Sequence, residues 1–198
     1  MRRRAASLSL VIAATLTLTG CFVASTHIPK GTGPVADRRL VGSWQGIDDG
    51  DHNPTRDDVV LTFRMTTNAK PLRLTWNEGK KRRFYDVYTL KFGNHMGFAA
   101  NLTGPAEAQR EDETKGAYYL GYYEFTPSGE GLIFYLLDKK KLAGLIASGK
   151  LKGNAGKGEH ALAILNGPAR EVGRFLTSAK GFAARSEGPA MLRRLPAR

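Results

Sequence analysis

Alternation of apolar and polar residues between positions 59 and 137 restricts this chain to folds dominated by β-strands. Apolar side chains recur at every second position, as they do in the set Val59, Leu61, Phe63 and Met65. Because successive side chains of a strand point to opposite faces, such a segment predicts a strand with one buried face. The turn-forming stretches Asn77–Lys80 and Gly93–Asn94 separate segments of this kind at the spacing of hairpins. We therefore expect an antiparallel meander.

The alternating segments add up to about eight strands. They cover residues 39–46, 59–66, 72–77, 84–92, 96–102, 118–125, 132–137 and 159–165. The period changes to that of a helix at 139–148, with Asp138 as a cap, and at 168–180, where Pro168 opens the first turn. Antiparallel sheets remove their edges by closing. The sequence thus predicts a mainly β fold, α+β by element count: a closed or nearly closed antiparallel barrel with two short helices in its C-terminal region.

The large apolar residues of these segments predict the barrel's interior. One face of the alternation carries the expected core residues Trp44, Phe63, Leu74, Trp76, Phe98 and Phe134. An eight-stranded barrel is either filled by its side chains or holds one small ligand. Four of these residues form the candidate ligand pocket, namely Trp44, Phe63, Trp76 and Phe98.

The first twenty residues have the three parts of an export signal. Arg2–Arg4 form a basic start, Ala5–Leu18 an uncharged apolar run, and Gly20 a small residue at the exit. The run is shorter than the roughly 20 apolar residues that a membrane-spanning helix needs. Residues 1–20 are therefore expected to be a signal peptide. The chain's single cysteine, Cys21, follows directly.

The stretch Leu18-Thr19-Gly20-Cys21 resembles the lipobox of bacterial lipoproteins. This resemblance implies cleavage before Cys21, a diacylglyceryl group on its sulfur and an acylated, for example palmitoylated, amino terminus. It also implies an outer-membrane location on the periplasmic side of a Gram-negative cell envelope, because an Asp after the cysteine retains lipoproteins of this family in the inner membrane and this chain has Phe22. The alternative is an ordinary signal peptide with a cysteine nearby.

Gly42-Ser43-Trp44 resembles the G-x-W signature of lipocalins and related calycin barrels. The resemblance implies that Trp44 closes one end of a barrel that carries a hydrophobic ligand. In that family an arginine from a late strand packs on the tryptophan, whereas the late arginines here fall in the predicted helix or tail. The order of elements is also similar to that of small proteobacterial lipoproteins, which implies no activity.

These observations predict four regions. Residues 1–20 are the signal peptide, 21–38 a lipid-attached flexible tether that contains Pro29 and Pro34, 39–182 the lipocalin-like barrel with its two helices, and 183–198 a loose basic tail. The single cysteine excludes a disulfide within one chain. The fold is therefore expected to depend on packing alone.

The net charge of +12 is concentrated in the last third of the chain. Residues 139–198 contain 13 Lys and Arg against 3 Asp and Glu, whereas residues 21–138 contain 14 against 15. A basic surface often indicates nucleic acid, but an exported lipoprotein is not expected to meet it. We expect an anionic membrane surface or an acidic protein partner, with a solvated surface as the alternative. The residues expected to form this face are Lys139, Lys140, Lys141, Lys150, Lys152, Arg193 and Arg194.

The sequence has no recognisable catalytic constellation. No serine lies in a G-x-S-x-G motif, and residues 153–158 lack the Ser or Thr of a phosphate-binding loop. Asp49, Asp51 and Asn53 have calcium-loop spacing, but Pro54 and Val60 replace residues that such a loop needs. We expect no catalytic residue, metal or cofactor, and a non-enzymatic binding or structural role in the envelope through a hydrophobic ligand or an envelope partner. The alternative is an envelope hydrolase that acts on lipid or cell-wall polymer.

Overall fold

A computed structural model describes residues 23–30, 37–47, 59–66, 71–103, 116–156, 162–185 and 189–196. It contains, in chain order, β1 (Val23–Ser25), a 3₁₀ helix (Arg38–Leu40), β2 (Gly42–Ile47), β3 (Val60–Met65), β4 (Leu72–Glu78), β5 (Lys81–Phe92), β6 (His95–Leu102), β7 (Tyr118–Phe125), β8 (Gly131–Leu136), α1 (Lys139–Ala147), β9 (Gly153–Asn154), β10 (Ala163–Leu165), α2 (Ala169–Thr177), α3 (Ala179–Ala183) and β11 (Ala190–Arg194).

Eight of the strands form a closed antiparallel barrel, and the predicted fold class is confirmed. Strands β2 to β8 each pair with the next along the chain. Strand β11 then lies between β8 and β2, with Ala190 opposite Phe134 and Arg194 opposite Trp44. The insertion of β11 closes the sheet. None of the helices in the described ranges has the length and apolar character required to cross a membrane.

The prediction of a loose tail over 183–198 is wrong for the residues that close the barrel. Residues 190–194 are a strand that is hydrogen-bonded on both sides. The segment alternates over only a few positions, with Leu192 buried and Arg193 exposed. Its pairing partners lie far away in the sequence, so its strand structure comes from tertiary contacts rather than from local propensity.

The barrel interior is one hydrophobic core, and it contains all six residues predicted for it. Trp44, Phe63, Leu74 and Phe98 are buried, and Trp76 and Phe134 pack against them. Edge-to-face contact joins the Phe98 and Phe134 rings at 5.5 Å. The interior positions of the strands therefore follow the alternation of the sequence.

A second core lies outside the barrel wall. The outer face of β5, including Leu90 and Phe92, forms a buried cluster with Val172 and Leu176 of α2. The Tyr122 hydroxyl, on the outer face of β7, donates a hydrogen bond of 2.8 Å to the Leu176 carbonyl. The helices thus cover one side of the barrel, where the strands are apolar on both faces.

The helices agree with the predicted capping and differ in one boundary. The Asp138 carboxylate accepts hydrogen bonds from the amides of Lys140 and Lys141, at 2.8 and 3.1 Å, and so caps α1. The second predicted helix is divided at Ser178, which has extended backbone angles. The Ser178 hydroxyl accepts a hydrogen bond from the Gly181 amide at 3.1 Å and begins α3. Local side-chain capping thus replaces one long helix with two short ones.

The prediction of a flexible tether over 21–38 is wrong for its described part. Strand β1 is fully buried, and it pairs with β7 on one side and with β10 on the other. The segment continues along α2, where the Lys30 amide donates to the Ala169 carbonyl at 2.9 Å. A Cβ atom on Gly173 would overlap the Lys30 carbonyl oxygen. Pro29 and Pro34 indicated a loop, but the partners that order residues 23–30 are more than ninety residues away.

Candidate functional site

One end of the barrel is closed by the 3₁₀ helix and Trp44. The indole Nε1–H donates a hydrogen bond of 2.8 Å to the Leu40 carbonyl, and both residues are buried. The Phe125 ring lies 5.9 Å from the indole in a tilted arrangement. We call this the closed end. Trp44 is sealed from solvent here, so it closes the barrel and offers no surface to a ligand entering from this side.

Arg194 completes the closed end from strand β11. Its guanidinium carbon lies 4.2 Å from the centre of the Trp44 ring. Its two terminal nitrogens donate to the carbonyls of Val41, at 3.1 Å, and Arg39, at 2.6 Å. This late-strand arginine could not be matched to Trp44 from the sequence, because residues 183–198 were predicted to be a tail. The signal that could have found it is the two-residue spacing of Leu192 and Arg194.

The structure does not bring the seven predicted basic residues onto one face. Arg194 is packed into the closed end, and the Arg193 guanidinium donates to the Gln45 side-chain oxygen at 2.7 and 3.1 Å on the outer wall. Arg193 lies opposite Gly131, at the start of β8. The lysines of α1 follow the opposite end of β8, about 17 Å further along the strand. The two groups belong to different ends of the barrel.

A buried carboxylate fixes the chain at its entry into the closed end. The amide of Asp37 donates to the Thr89 hydroxyl at 3.1 Å, and its carboxylate accepts from the Tyr123 hydroxyl at 3.0 Å. The Arg39 guanidinium lies 2.7 Å from the same carboxylate. Burial opposes ionisation of Asp37, but the hydrogen bonds from Arg39 and Tyr123 outweigh it and lower the carboxyl pKa. Burial, together with this carboxylate, raises the pKa of Tyr123 far above its usual range.

Replacing Asp37 with asparagine is expected to change how stability depends on pH. The folded-state pKa of Asp37 lies below its ordinary value of 3.8, so the carboxylate contributes stability above that pH. This contribution is lost as the pH falls through the folded-state pKa. Asp37→Asn should cost about 2 kcal/mol at pH 7 and less at pH 3. Urea unfolding at both pH values measures this, and equal losses at the two would contradict it.

The other end of the barrel presents half-buried aromatic side chains. Trp76 and Tyr85 lie 6.4 Å apart, and Tyr85 and Tyr119 lie 6.3 Å apart, measured between ring centres. We call this group of Trp76, Tyr85 and Tyr119 the open end. Burial raises the pKa of the Tyr85 hydroxyl to about 12, so this hydroxyl stays protonated at physiological pH. Residues 48–58 and 104–115, between β2 and β3 and between β6 and β7 in the sequence, lie outside the described residues.

The open end also carries polar groups close to these rings. The indole Nε1–H of Trp76 is buried and has no hydrogen-bond acceptor among the residues that the structure describes. Arg83 lies directly opposite Trp76 in the β4–β5 ladder, and its guanidinium is 3.4 Å from the Glu78 carboxylate. A buried donor without a partner costs about 1–3 kcal/mol. The open end therefore combines an apolar surface with a donor that has no acceptor among the described residues and with the nearby Arg83–Glu78 ion pair.

The four candidate pocket residues all point into the barrel but do not line one site. Trp44, Phe63 and Phe98 are buried in the packed core, whereas Trp76 is half-buried at the open end. The sequence analysis missed Arg83 and Tyr85 because the stronger apolar alternation of β5 lies on the opposite, outer face. Val87 faces inward, and Arg83 and Tyr85 lie four and two positions before it on the same face of β5. Counting back from Val87 could therefore have identified them.

The structure does not describe the remaining candidate residues. The calcium-like residues Asp49, Asp51 and Asn53, and the lipidation residue Cys21, lie outside the described residues. Within the described ranges, no group of three or more His, Cys, Asp or Glu side chains is placed to hold a metal ion. Comparison of the chain with protein-family models, with curated proteins and with solved structures found no match.

Proposed function

We propose that this protein is a membrane-anchored lipoprotein of the cell envelope whose barrel binds a hydrophobic ligand without catalysis. The observation that carries this proposal is the difference between the two ends of the barrel. The closed end is sealed by Trp44 and Arg194, whereas the open end has three half-buried aromatic rings beside the Trp76 Nε1–H, which has no acceptor in the described part of the chain. Half-buried aromatic rings with a few polar groups are typical of ligand sites.

The closed end supports the resemblance to calycin barrels. That resemblance implies a G-x-W tryptophan that closes one end and a late-strand arginine that packs on it. Trp44 and Arg194 have this arrangement, within an eight-stranded antiparallel barrel. We therefore propose the lipocalin-like class for this chain, with the ligand at the end opposite to Trp44.

The packing of the interior limits what the ligand can be. Phe63 and Phe98 fill the barrel below the open end and are at most 9% exposed. The ligand therefore occupies the part of the barrel nearest to the open end, against Trp76, Tyr85 and Tyr119. An apolar chain or ring that carries a hydrogen-bond acceptor would satisfy both the aromatic surface and the Trp76 Nε1–H.

Removing Trp76 is expected to reduce the amount of bound ligand. The protein would be purified from envelopes, and its non-covalent lipids extracted with organic solvent and quantified by mass spectrometry. Loss of a buried aromatic contact and a donor lowers affinity by about tenfold or more, so Trp76→Ala should carry correspondingly less ligand. Ile133→Ala, on the outer face of β8, is the matched control and should carry the wild-type amount. Wild-type protein free of extractable lipid would contradict the ligand proposal.

The anchor is tested separately at Cys21. The basic start, the apolar run and the Leu-Thr-Gly-Cys stretch support acylation of this thiol, and two or three acyl chains give stable attachment. Cys21→Ser should therefore abolish retention in washed membranes, and the wild type should fractionate with outer-membrane markers. Retention of the serine variant, or recovery of the wild type with inner-membrane markers, would contradict the anchor or its location.

A further inference from the structure

The first described strand, β1, begins at Val23, two residues after the proposed lipid-bearing cysteine. Val23, Ala24 and Ser25 are each 0% exposed and are paired within the sheet. The two residues from Cys21 to Val23 span at most about 7 Å. An acylated Cys21 would therefore hold the domain against the membrane surface rather than at the end of a long linker. Which side of the domain then faces the lipid depends on where Val23 lies.

Val23 lies beside the start of α1. Strands β1 and β8 both pair with the same edge of β7, with Ala24 opposite Tyr119 and Leu136 opposite Gly121. The beginning of β1 and the end of β8 therefore meet along that edge. Val23 and Leu142 of α1 belong to the same buried cluster, and α1 also contacts β9 and β10. The point where the chain enters the fold is thus adjacent to α1.

The segment that contains α1 is rich in lysine, and its described acidic neighbours include Asp138 at the helix cap and Glu171 near Lys152. The segment from 139 to 156 contains no Asp or Glu, and it includes the five lysines that we call the lysine surface: Lys139, Lys140, Lys141, Lys150 and Lys152. Four of these are exposed, and the exposed face of α1 between them consists of small residues such as Gly144, Ala147 and Ser148. Such a face can approach a flat surface closely.

The first three lysines are unfavourable for the helix itself. They occupy the first turn of α1, which contains no acidic residue. Positive charge at a helix N-terminus opposes the helix dipole. Asp138 offsets part of this by capping the helix and lying 3.7 Å from the Lys141 ammonium. Side chains that destabilise their own helix in this way are expected where they serve a function other than folding.

We infer that the lysine surface lies on the anionic headgroups of the membrane that holds Cys21. This inference rests on the proposed acylation and adds an orientation to it. Each Lys near an anionic surface interacts favourably with it, within a Debye length, and the short Cys21–Val23 link keeps the surface within that distance. Because α1 follows the end of β8 that lies at the open end, this orientation places the open end next to the lipid.

A single introduced thiol tests the orientation, since the chain has one cysteine and the proposal has it acylated. Ser148→Cys, on the exposed face of α1, and Ser128→Cys, in the β7–β8 turn at the closed end, would each carry a fluorophore. The full acylated chain is reconstituted into vesicles with nitroxide-labelled headgroups. On vesicles rich in phosphatidylglycerol we expect strong quenching at 148 and little at 128, and on phosphatidylcholine vesicles little at either.

Replacing the lysines distinguishes the contribution of the lysine surface to docking from that of the lipid anchor. Replacing Lys139, Lys140 and Lys141 with glutamine changes the ratio of docked to undocked protein on the order of 100-fold, so quenching at 148 should fall to the level at 128. The matched control replaces Arg38, Arg64 and Lys91, three exposed basic residues at the closed end, with glutamine and should leave quenching unchanged. Both variants should still float with the vesicles, because flotation reports the lipid on Cys21.

The possible results distinguish a failure of the anchor proposal from a failure of the proposed orientation. Loss of flotation of the unmodified chain would show that the anchor proposal has failed. Flotation with equal quenching at 148 and 128, or with quenching that survives the lysine replacements, would overturn the orientation alone. Shielding of position 148 in intact envelopes but not on vesicles would assign the lysine surface to an acidic protein and would also overturn it.

Discussion

Replacing Trp44 with alanine is expected to lower the free energy of unfolding by about 4 kcal/mol. The indole is fully buried at the closed end, where it contacts Phe125 and the Arg194 guanidinium and donates to the Leu40 carbonyl. Truncation leaves a cavity, an unpaired carbonyl and a guanidinium without its aromatic face. These losses coincide at the point where the first and last strands of the barrel meet.

Two further variants measure separately how much the hydrogen bond to Leu40 and the contacts of Arg194 contribute to this loss of stability. Trp44→Phe keeps a ring for Arg194 and removes the hydrogen bond to Leu40, and it should cost about 1–2 kcal/mol. Arg194→Met keeps the apolar length and removes the cation and its two carbonyl contacts, and it should cost about 2 kcal/mol. Urea unfolding followed by circular dichroism measures all three variants. A loss below about 1 kcal/mol for Trp44→Ala would mean that the indole does not close the barrel.

The sequence was sufficient to predict the barrel class, seven of its eight strands and its interior, whereas the predicted strand 159–165 lies outside the barrel as β10 and β11 takes its place. In a half-buried strand the side-chain period of two is imposed by the backbone, so the apolar face of each segment marks the inside. Phe63, Leu74 and Phe98 follow this rule, and the structure places them in one core. The α1 cap was equally predictable, because Asp138 acts on amides two and three residues away. Both features depend on local geometry.

The parts that the sequence did not predict depend on distant partners. Strands β1 and β11 are short, and each is ordered by strands far away in the chain. Without β11, Arg194 had no assigned strand and could not be matched to Trp44. Trp76 was predicted, but its neighbours Tyr85 and Arg83 were missed for a different reason. They lie on the less apolar face of β5, whose outer face is buried by α2.

The contrast between the two ends has a consequence for how stability and binding are related. Residues at the closed end are buried, hydrogen-bonded and distant from any entry point, so their substitution should change stability more than ligand content. Trp76 is half-buried, and its Nε1–H has no acceptor within the described ranges, so its substitution should change ligand content more than stability. The same residue type thus has different expected effects at opposite ends of one barrel.

Placing a carboxylate in β1 is expected to destabilise the fold by about 3–5 kcal/mol. Ala24 is fully buried between Tyr119 of β7 and Ile164 of β10. Aspartate at this position would bury a charge without a partner, whereas in a flexible tether it would cost almost nothing. His27→Asp is the control: His27 is exposed in the same segment, and its substitution should change stability by less than about 0.5 kcal/mol. Urea unfolding of Ala24→Asp and His27→Asp distinguishes a folded entry segment from a tether. Equal stabilities for both variants and the wild type would return residues 23–30 to the linker, and would remove the short connection on which the membrane orientation depends.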